Sequence, residues 1–492
     1  MYKRQGLSTT QIDGLSTTQL RGLTTTQMGA LAETQIQALS NTDLTALSST
    51  QLSGLSATGV AALADTQIDR LSSTQLAGLS TTGLAGLSAA QLAGLTTTQM
   101  RGLSSTQIGA LSTTALDGLA TTQVAALSTA QLRGLTATQM GSLSTTQIAG
   151  LTTTEVAALT ATQLSGLSTT GIAALSTTQL KGLTSTQIGS LSTTGIGGLT
   201  ETQIGALSTT QLRGLTTTQI SSLSTTQVAG LTETEIGALS TSQLAGFSAS
   251  GIAALTATQI DGLTSTQISS LSTAGIRGLT STQLASLDET QLAALSSSQV
   301  GALSTTGIVG LSETQMAALT ATQFAGLAAT QMAALSTAQV QALNETQIES
   351  LSVTQLRGLA RVQIRALTTT QVTVLSTTQV ASLTATQVSN LSATQLQTLN
   401  GSQMLALGST QVGAMTVTQL GNLTADQVGA LSAAQLSGLT TTTIAGLTDN
   451  TIAALSAEQI ESLTAEQIDA FTTTQIAAMS PTQLAALESA VA

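Results

Sequence analysis

Apolar and polar residues follow one another along this chain with a fixed period of eight. Leucine stands at residue 7 and at every eighth residue from there to Leu487. It is replaced, always by another apolar residue, at Phe247, Met415, Phe471 and Met479. A second apolar residue follows five positions later, beginning at Ile12. Ser or Thr usually comes directly after the leucine, and Gln usually comes four residues after it. We number the eight positions from the leucine and call each unit an octad.

The octads continue without interruption. Sixty of them run from Leu7 to Ala486 with no insertion or deletion. Surface loops normally tolerate insertions, so a chain without any has no free loops between its units. The uniform spacing therefore predicts that each octad stacks in register on its neighbours, as in a solenoid.

The residues within each octad favour a short helix. Apolar positions 1 and 6 lie alternately five and three residues apart, which does not match the strict alternation of a half-buried strand. Ser or Thr at position 2 can cap a helix, Gln at position 5 completes a capping box, and the two apolar residues form a hydrophobic staple. Pro481, the single proline, follows Ser480 and would occupy the first helical position, where proline is tolerated. A helix this short is unstable alone, so stacking must stabilise it.

A second period lies inside the first. Between Gly102 and Gly278, position 8 alternates between Gly and Ala or Ser, which indicates a structural repeat of two octads. We expect these glycines to end their helices in a left-handed conformation. Cations directly precede a glycine of this kind and are expected to face solvent. They are Arg21, Arg101, Arg133, Lys181, Arg213, Arg277 and Arg357.

These patterns predict an all-α fold, a tight solenoid of very short capped helices with two octads per repeat. The alternative is a β-solenoid with two octads, about 16 residues, per coil, because Thr and Ile also favour strands. Residues 6–454 form the repeat solenoid, and residues 455–492 are expected to be acidic capping repeats with a polar outer face. Residues 1–5, MYKRQ, do not fit the octad pattern and resemble translated adapter sequence from metagenomic assemblies, so we expect a non-native leader.

The amino-acid composition excludes several kinds of binding and catalytic site. The 492 residues carry a net charge of −11 with only 12 Lys and Arg, and they include no His and no Cys. Scattered cations do not supply the clustered charge that nucleic acid binding requires, and no apolar run is long enough to cross a membrane. The absence of His and Cys removes the imidazole base, the thiolate nucleophile and the commonest metal ligands. We expect no catalytic, cofactor-binding or metal-binding residue, no cofactor, and no enzymatic activity.

The whole pattern, L-[ST]-x-x-Q-[IVL]-x-[AG], is similar to low-complexity octapeptide arrays of large bacterial proteins. The resemblance implies an extracellular or cell-surface protein. The leading hypothesis is a structural rod, spacer or filament that associates with itself laterally or end to end. One alternative is a binding module whose periodic Thr and Ser face contacts ice, a polysaccharide or a partner surface. Another is an intracellular interaction scaffold, since solenoids present extended surfaces to partners.

Overall fold

The computed structural model describes residues 6–491, so the leader expected at residues 1–5 lies outside the described residues. Secondary structure in the described chain consists of sixty helices, one in each octad, and contains no strands. This confirms the prediction of an all-α solenoid, and the β-solenoid alternative is not supported. Sixty capped helices follow one another because every octad repeats the same start signal.

Contacts between residues divide the chain into two units, Met1–Gly246 and Phe247–Ala492, and each is described by itself. Each unit contains thirty helices. The helices of the first unit are α1 (Thr9–Asp13), α2 (Thr17–Arg21), α3 (Thr25–Gly29), α4 (Glu33–Gln37), α5 (Asn41–Ala46), α6 (Ser49–Leu52), α7 (Ala57–Ala61), α8 (Asp65–Ile68), α9 (Ser73–Gly78), α10 (Thr81–Leu84), α11 (Ala89–Gly94), α12 (Thr97–Gly102), α13 (Ser105–Gly109), α14 (Thr113–Asp117), α15 (Thr121–Val124), α16 (Thr129–Leu132), α17 (Ala137–Ser142), α18 (Thr145–Ala149), α19 (Thr153–Ala158), α20 (Ala161–Ser165), α21 (Thr169–Ala173), α22 (Thr177–Lys181), α23 (Ser185–Gly189), α24 (Thr193–Gly197), α25 (Glu201–Ile204), α26 (Thr209–Leu212), α27 (Thr217–Ser221), α28 (Thr225–Ala229), α29 (Glu233–Gly237) and α30 (Thr241–Leu244).

The helices of the second unit are α31 (Ala249–Ala254), α32 (Ala257–Asp261), α33 (Ser265–Ser269), α34 (Thr273–Ile276), α35 (Ser281–Ala285), α36 (Glu289–Ala293), α37 (Ser297–Ala302), α38 (Thr305–Ile308), α39 (Glu313–Ala318), α40 (Ala321–Ala325), α41 (Ala329–Ala334), α42 (Thr337–Gln341), α43 (Glu345–Ser350), α44 (Val353–Gly358), α45 (Arg361–Ala366), α46 (Thr369–Thr373), α47 (Thr377–Ser382), α48 (Ala385–Val388), α49 (Ala393–Gln397), α50 (Gly401–Ala406), α51 (Ser409–Gly413), α52 (Val417–Gly421), α53 (Ala425–Gly429), α54 (Ala433–Leu436), α55 (Thr441–Ala445), α56 (Asp449–Ala454), α57 (Ala457–Glu461), α58 (Ala465–Ile468), α59 (Thr473–Ala477) and α60 (Pro481–Val491). The last of these is eleven residues long and contacts both α57 and α58.

Most helices begin as the capping box predicts, whereas helices with Gly, Ala or Thr at position 5, such as α7, α14 and α55, lack the glutamine half of the box. At α26, the backbone N–H of Gln211 donates to Ser208 Oγ at 3.3 Å. In return, the backbone N–H of Ser208 donates to Gln211 Oε1 at 3.0 Å. At α4 the cap residue is Ala32, which has no hydroxyl group, so only the second bond of the capping box forms. The backbone N–H of Ala32 donates to Gln35 Oε1 at 2.7 Å. The box satisfies backbone donors that a helix start otherwise leaves unpaired.

The helix ends differ from the sequence prediction. No described residue has a positive φ, so the prediction that the position 8 glycines are left-handed is wrong. Gly182, for example, keeps φ −74° and ψ −14°. The chain instead bends at the position 1 leucine, which is extended, as at Leu79 with φ −62° and ψ 139°. Because this bend needs no reversal of the backbone, glycine is not required for its conformational freedom.

A turn of the solenoid contains three octads, not two. Helices contact those three places further along the chain, so that α6 packs on α9 and α9 packs on α12. The stacking repeat is therefore three octads long. The alternation of Gly with Ala or Ser at position 8 has a period of two octads and does not correspond to one turn. The reason is geometric, since a bend that does not reverse the chain needs three helices to close a turn.

The apolar positions point inward, as predicted. Position 6 is completely buried at most octads, as at Leu180, and the position 1 leucines are nearly so, as at Leu183. Leu7, in the first described turn, is 39% exposed, because no described turn precedes it. Within each unit, the core is thus a column of mainly leucine and isoleucine side chains, to which each complete turn contributes six apolar residues.

Candidate functional site

The position 5 glutamine joins each turn to the one before it. In addition to its capping bond, Gln211 donates from Nε2 to the carbonyl oxygens of Leu180 at 2.8 Å and Leu183 at 2.7 Å. These two carbonyls flank the bend of the preceding turn. Oε1 also accepts from Ser208 Oγ at 3.1 Å. Gln211 is only 5% exposed, and its amide is fully hydrogen-bonded.

The same arrangement recurs along the chain, and we call it the glutamine clamp. It is seen with both carbonyl bonds at Gln163, Gln227, Gln331, Gln363, Gln419 and Gln467. A capping box accepts either Glu or Gln, but only Gln brings an N–H donor to the preceding turn. The near-exclusive use of Gln over Glu was the sequence signal for this contact.

Carboxylates at position 5 keep the cap and lack the clamp. Glu235 is buried, and its Oε2 accepts from the Thr232 N–H at 2.7 Å and the Thr232 hydroxyl at 2.9 Å. The Glu235 side chain has no N–H to donate to the carbonyls of Ile204 and Leu207, the equivalents of those that Gln211 contacts. Glu235 therefore marks an interface between turns that carries a cap without the cross-turn bond.

Glycine replaces the glutamine at several octads, and at Gly83, Gly275 and Gly307 a carbonyl oxygen of the preceding turn lies 2.6–3.2 Å from where a Cβ would stand. A Cβ on Gly83 would lie only 2.9 Å from the carbonyl oxygen of Leu55, the oxygen that a glutamine would otherwise bind. Three pairs of such glycines are spaced by three octads and therefore stack on each other. They are Gly59 with Gly83, Gly171 with Gly195, and Gly251 with Gly275. This spacing was present in the sequence and indicates the length of a turn.

The glycines at position 8 create closely packed interfaces between turns. A Cβ on Gly214 would overlap the carbonyl oxygen of Ser185 in the preceding turn. Between Gly102 and Gly278 the alternation has a period of two octads and a turn contains three, so each column of stacked helices in this range alternates between close and wider interfaces. One column, for example, carries Ala174, Gly198 and Ser222 at position 8. The spacing between turns also affects position 7, which faces position 8 of the next turn. A Cβ on Gly141 would lie 2.6 Å from the carbonyl oxygen of Gly166, whereas a Cβ on Gly197, which faces Ser222, would have no neighbour within 4 Å.

Long side chains at position 7 form a second bond between turns at the wider interfaces. Arg213 Nε donates to the carbonyl oxygen of Ala238 at 2.8 Å, and Arg133 Nε donates to that of Ala158 at 2.9 Å. The same bond is made by Arg21, Arg101 and Arg357. These guanidinium groups lie at the surface as expected, but each also binds the next turn. Position 8 of that turn is Ala or Ser in every case.

The surface that remains for contact with other molecules is built from positions 3, 4 and 7. These are mainly Thr, Ser and Ala, and charges on them are sparse. Asp288 is a charged cap, and hydrogen bonds from the Gln291 backbone N–H and the Thr290 hydroxyl hold its pKa below the ordinary value of 3.8. The structure thus presents repeated hydroxyl groups around a uniform core, with charge confined to a few places.

Concave features are small. The second unit contains an apolar cavity of about 10 Å³, bordered by Leu420, Leu423 and Thr451 among others. A shallow, open depression borders Asn344, Glu345 and Thr370. Within residues 6–491 no group of three or more acidic, His or Cys side chains is arranged to hold a metal ion. None of the helices in this range has the length and apolarity needed to cross a membrane.

Solved structures that resemble the chain include two titled by complexes of one protein. The structure of APUM23-GGAAUUGACGG is 12% identical over 100% of this chain and 97% of that chain, with a TM-score of 0.13. That of APUM23-GGAUUUGACGG is 11% identical over the same shares, with a TM-score of 0.14. Scores this low carry no argument about this chain. No curated protein matches it.

A family model described as the ALTTAQ repeat matches the sequence in nine places. The matched residues are 5–41, 97–129, 121–153, 156–193, 172–209, 196–233, 209–241, 236–273 and 452–489. Together they cover just over half of the chain, in both units. The chain belongs to the ALTTAQ repeat family.

Proposed function

We propose that this protein is a non-enzymatic structural element, an elongated rod or spacer located outside the cell or at its surface. The observation that carries the proposal is the glutamine clamp. Sixty helices are devoted to one repeated interface, and the side chain that dominates the repeat binds the neighbouring turn, not a ligand. A chain that becomes longer by adding similar repeats, and whose outer surface is uniform, suits a spacer better than a recognition domain.

The scarcity of reactive groups supports a non-enzymatic role. The chain has no His or Cys, and its carboxylates stand mostly singly at first-turn positions, where they complement the helix dipole. A spacer needs neither a pocket nor a perturbed acid. The extracellular location rests on the hydroxyl-rich surface and on the resemblance of the octads to arrays in large bacterial proteins. Antibody labelling of intact against permeabilised source cells would test that location.

Solution scattering and electron microscopy of the full chain would test the rod. Three helices per turn give twenty turns, and stacked helices lie about 8–10 Å apart, so a rod would be roughly 160–200 Å long. Its radius of gyration would be about 50 Å, against about 23 Å for a compact globule of this size. A value near that of a globule, or a flexible chain in micrographs, would refute the rod.

A second candidate is a binding module, and the ordered hydroxyl surface favours it. Thr210, Thr226 and Thr234, for example, are all exposed at position 4 of their octads. A periodic target such as ice or a polysaccharide could match such a spacing. Thermal hysteresis and glycan binding are the direct assays. Activity in either would favour a binding module over a passive spacer.

A further inference from the structure

One column of the second unit carries opposite charges at its two ends. We call helices α45, α48, α51, α54 and α57 the charged strip. They stack directly, because Gln387, Gln435 and Gln459 donate to the carbonyl oxygens of Leu359, Leu407 and Leu431 at 3.0, 2.7 and 2.7 Å. Gln411 makes the corresponding bond to Leu383. The strip therefore spans four consecutive interfaces between turns.

Its first helix is basic and apolar. Arg361 and Arg365 are both exposed on α45, and Val362 between them is 64% exposed, the most exposed large apolar residue of the described chain. The sequence has no Asp or Glu between residues 350 and 425. Neither guanidinium has a hydrogen bond or ion pair within the described residues. The chain thus presents two uncompensated cations beside an uncovered valine.

Its last helix is acidic. Glu458 and Glu461 are exposed on α57, and no Lys or Arg occurs after Arg365. The outward residues between the two ends are small and uncharged, including Thr386, Ser409, Thr410, Ala433 and Ala434. The strip is therefore basic, neutral and acidic in order, and it offers no bulky side chain that would keep a flat partner away.

We infer that this strip is a self-complementary docking surface for a second copy of the chain. A two-fold axis through α51 would place two strips antiparallel, with α45 of each copy against α57 of the other. Arg361 and Arg365 would then face Glu458 and Glu461 of the second copy at both ends, and Val362 would be covered. Such an isologous contact uses one surface on both molecules and closes after two copies.

The two charged ends cannot satisfy each other within one molecule. Four interfaces between turns at about 8–10 Å each separate them by roughly 32–40 Å, whereas an ion pair requires approach within about 4 Å. A second copy brings both pairs together at once. An anionic membrane is the poorer partner, because such surfaces are recognised by clusters of about four to eight cations.

The size of the strip sets the strength of the association. A contact about 35 Å long and one helix, about 10 Å, wide covers roughly 350 Å² on each copy, well below the approximately 800 Å² of a standard interface. The dimer is therefore weak and driven by charge. Its affinity falls as salt is raised, because exposed ion pairs are screened.

Sedimentation equilibrium of the full chain at low and high salt tests the inference. We expect Arg361→Glu with Arg365→Glu to weaken dimerisation at least about tenfold, because both ends of the strip then repel. Glu458→Arg with Glu461→Arg should do the same. An equimolar mixture of these two variants should recover dimers, since each end then meets its opposite charge. Lys181→Glu with Arg277→Glu changes the net charge equally outside the strip and should leave dimerisation unchanged.

Three results would overturn the inference. They are a wild type that stays monomeric at low salt, paired variants that dimerise as the wild type does, and a mixture that fails to recover dimers although both variants keep wild-type helicity. Binding of the wild type to phosphatidylserine vesicles through Arg361 and Arg365, without dimers, would also overturn it. The inference deepens the proposed structural role and rests on it, because association would join two spacers side by side. An elongated monomer would contradict the dimer but agree with the proposed spacer, whereas a compact dimer would contradict the spacer but agree with dimerisation.

Discussion

Replacing Gln211 by Glu separates the two functions of the position 5 side chain. A glutamate can still accept hydrogen bonds from the Ser208 N–H and hydroxyl, as Glu235 does in its own octad. The substitution removes only the Nε2 donor to Leu180 and Leu183 and places an oxygen against their carbonyls. The helix start is therefore preserved while the bond to the preceding turn is lost.

The structure sets the size of the effect. Two buried hydrogen bonds are worth about 1 kcal/mol each. The Leu180 oxygen keeps a second partner, the Leu183 N–H at 3.1 Å, but the Leu183 oxygen loses its side-chain donor. An unsatisfied buried acceptor costs about 1–3 kcal/mol more. We expect Gln211→Glu to lower the local free energy of unfolding by about 3–5 kcal/mol.

Native-state hydrogen exchange of the backbone amides in residues 180–216 is the appropriate assay, because repeat arrays can open locally without unfolding as a whole. Thr210→Glu is the matched control, since it adds the same charge to the same helix at an exposed position and should change stability by no more than about 0.5 kcal/mol. The reciprocal variant Glu235→Gln should supply the missing donor and stabilise its interface by about 1–2 kcal/mol. Equal protection in Gln211→Glu and Thr210→Glu, or a loss of protection in Glu235→Gln, would contradict a stabilising role for the cross-turn bonds of the position 5 amide.

Three further substitutions test other parts of the account. Gly214→Ala should destabilise its interface by at least about 1 kcal/mol, because the new methyl group overlaps the Ser185 carbonyl. Gly197→Ala has open space around it and should stabilise its helix by up to about 1 kcal/mol. Urea unfolding of the two variants measures both effects. Thr451→Gln should raise the thermal midpoint by restoring a clamp worth about 1 kcal/mol beside the apolar cavity. The pKa of Asp288 is lower in the folded state, so its stabilisation is present above the ordinary value of 3.8 and is lost as pH falls through the lower folded value. In acid titrations of unfolding, the stability difference between the wild type and Asp288→Asn should therefore shrink as the pH is lowered below 3.8.

Local structure follows from the sequence because it depends on residues close together in the chain. The Ser208 and Gln211 pair is three residues apart, and the capping box that it forms can be predicted from spacing alone. The inward direction of Leu180 and Leu183 follows from the same register. Every octad repeats these local signals, so the all-α class and the number of helices were predictable.

The length of a turn depends on the angle of the bend at the extended leucine, and no residue type within the octad specifies that angle. The alternation at position 8 predicts a repeat of two octads, but in the structure it sets the order of close and wider interfaces along a column. The stacked glycines, such as Gly171 and Gly195, have the correct spacing of three octads. The second role of Gln211 also depends on the carbonyl of Leu183 in the preceding turn, which no local rule of helix capping includes.

Three octads make one turn of the solenoid, and the glutamine clamp holds each turn to the one before it. The chain has no natural Cys, so pairs of cysteines can be introduced and spin-labelled without background. Thr210, Thr226 and Thr234 are all exposed at position 4 of their helices. We expect stronger dipolar broadening for Thr210→Cys with Thr234→Cys, three octads apart on stacked helices, than for Thr210→Cys with Thr226→Cys, two octads apart around the turn. The reverse order would contradict a turn of three octads and the clamp that depends on it.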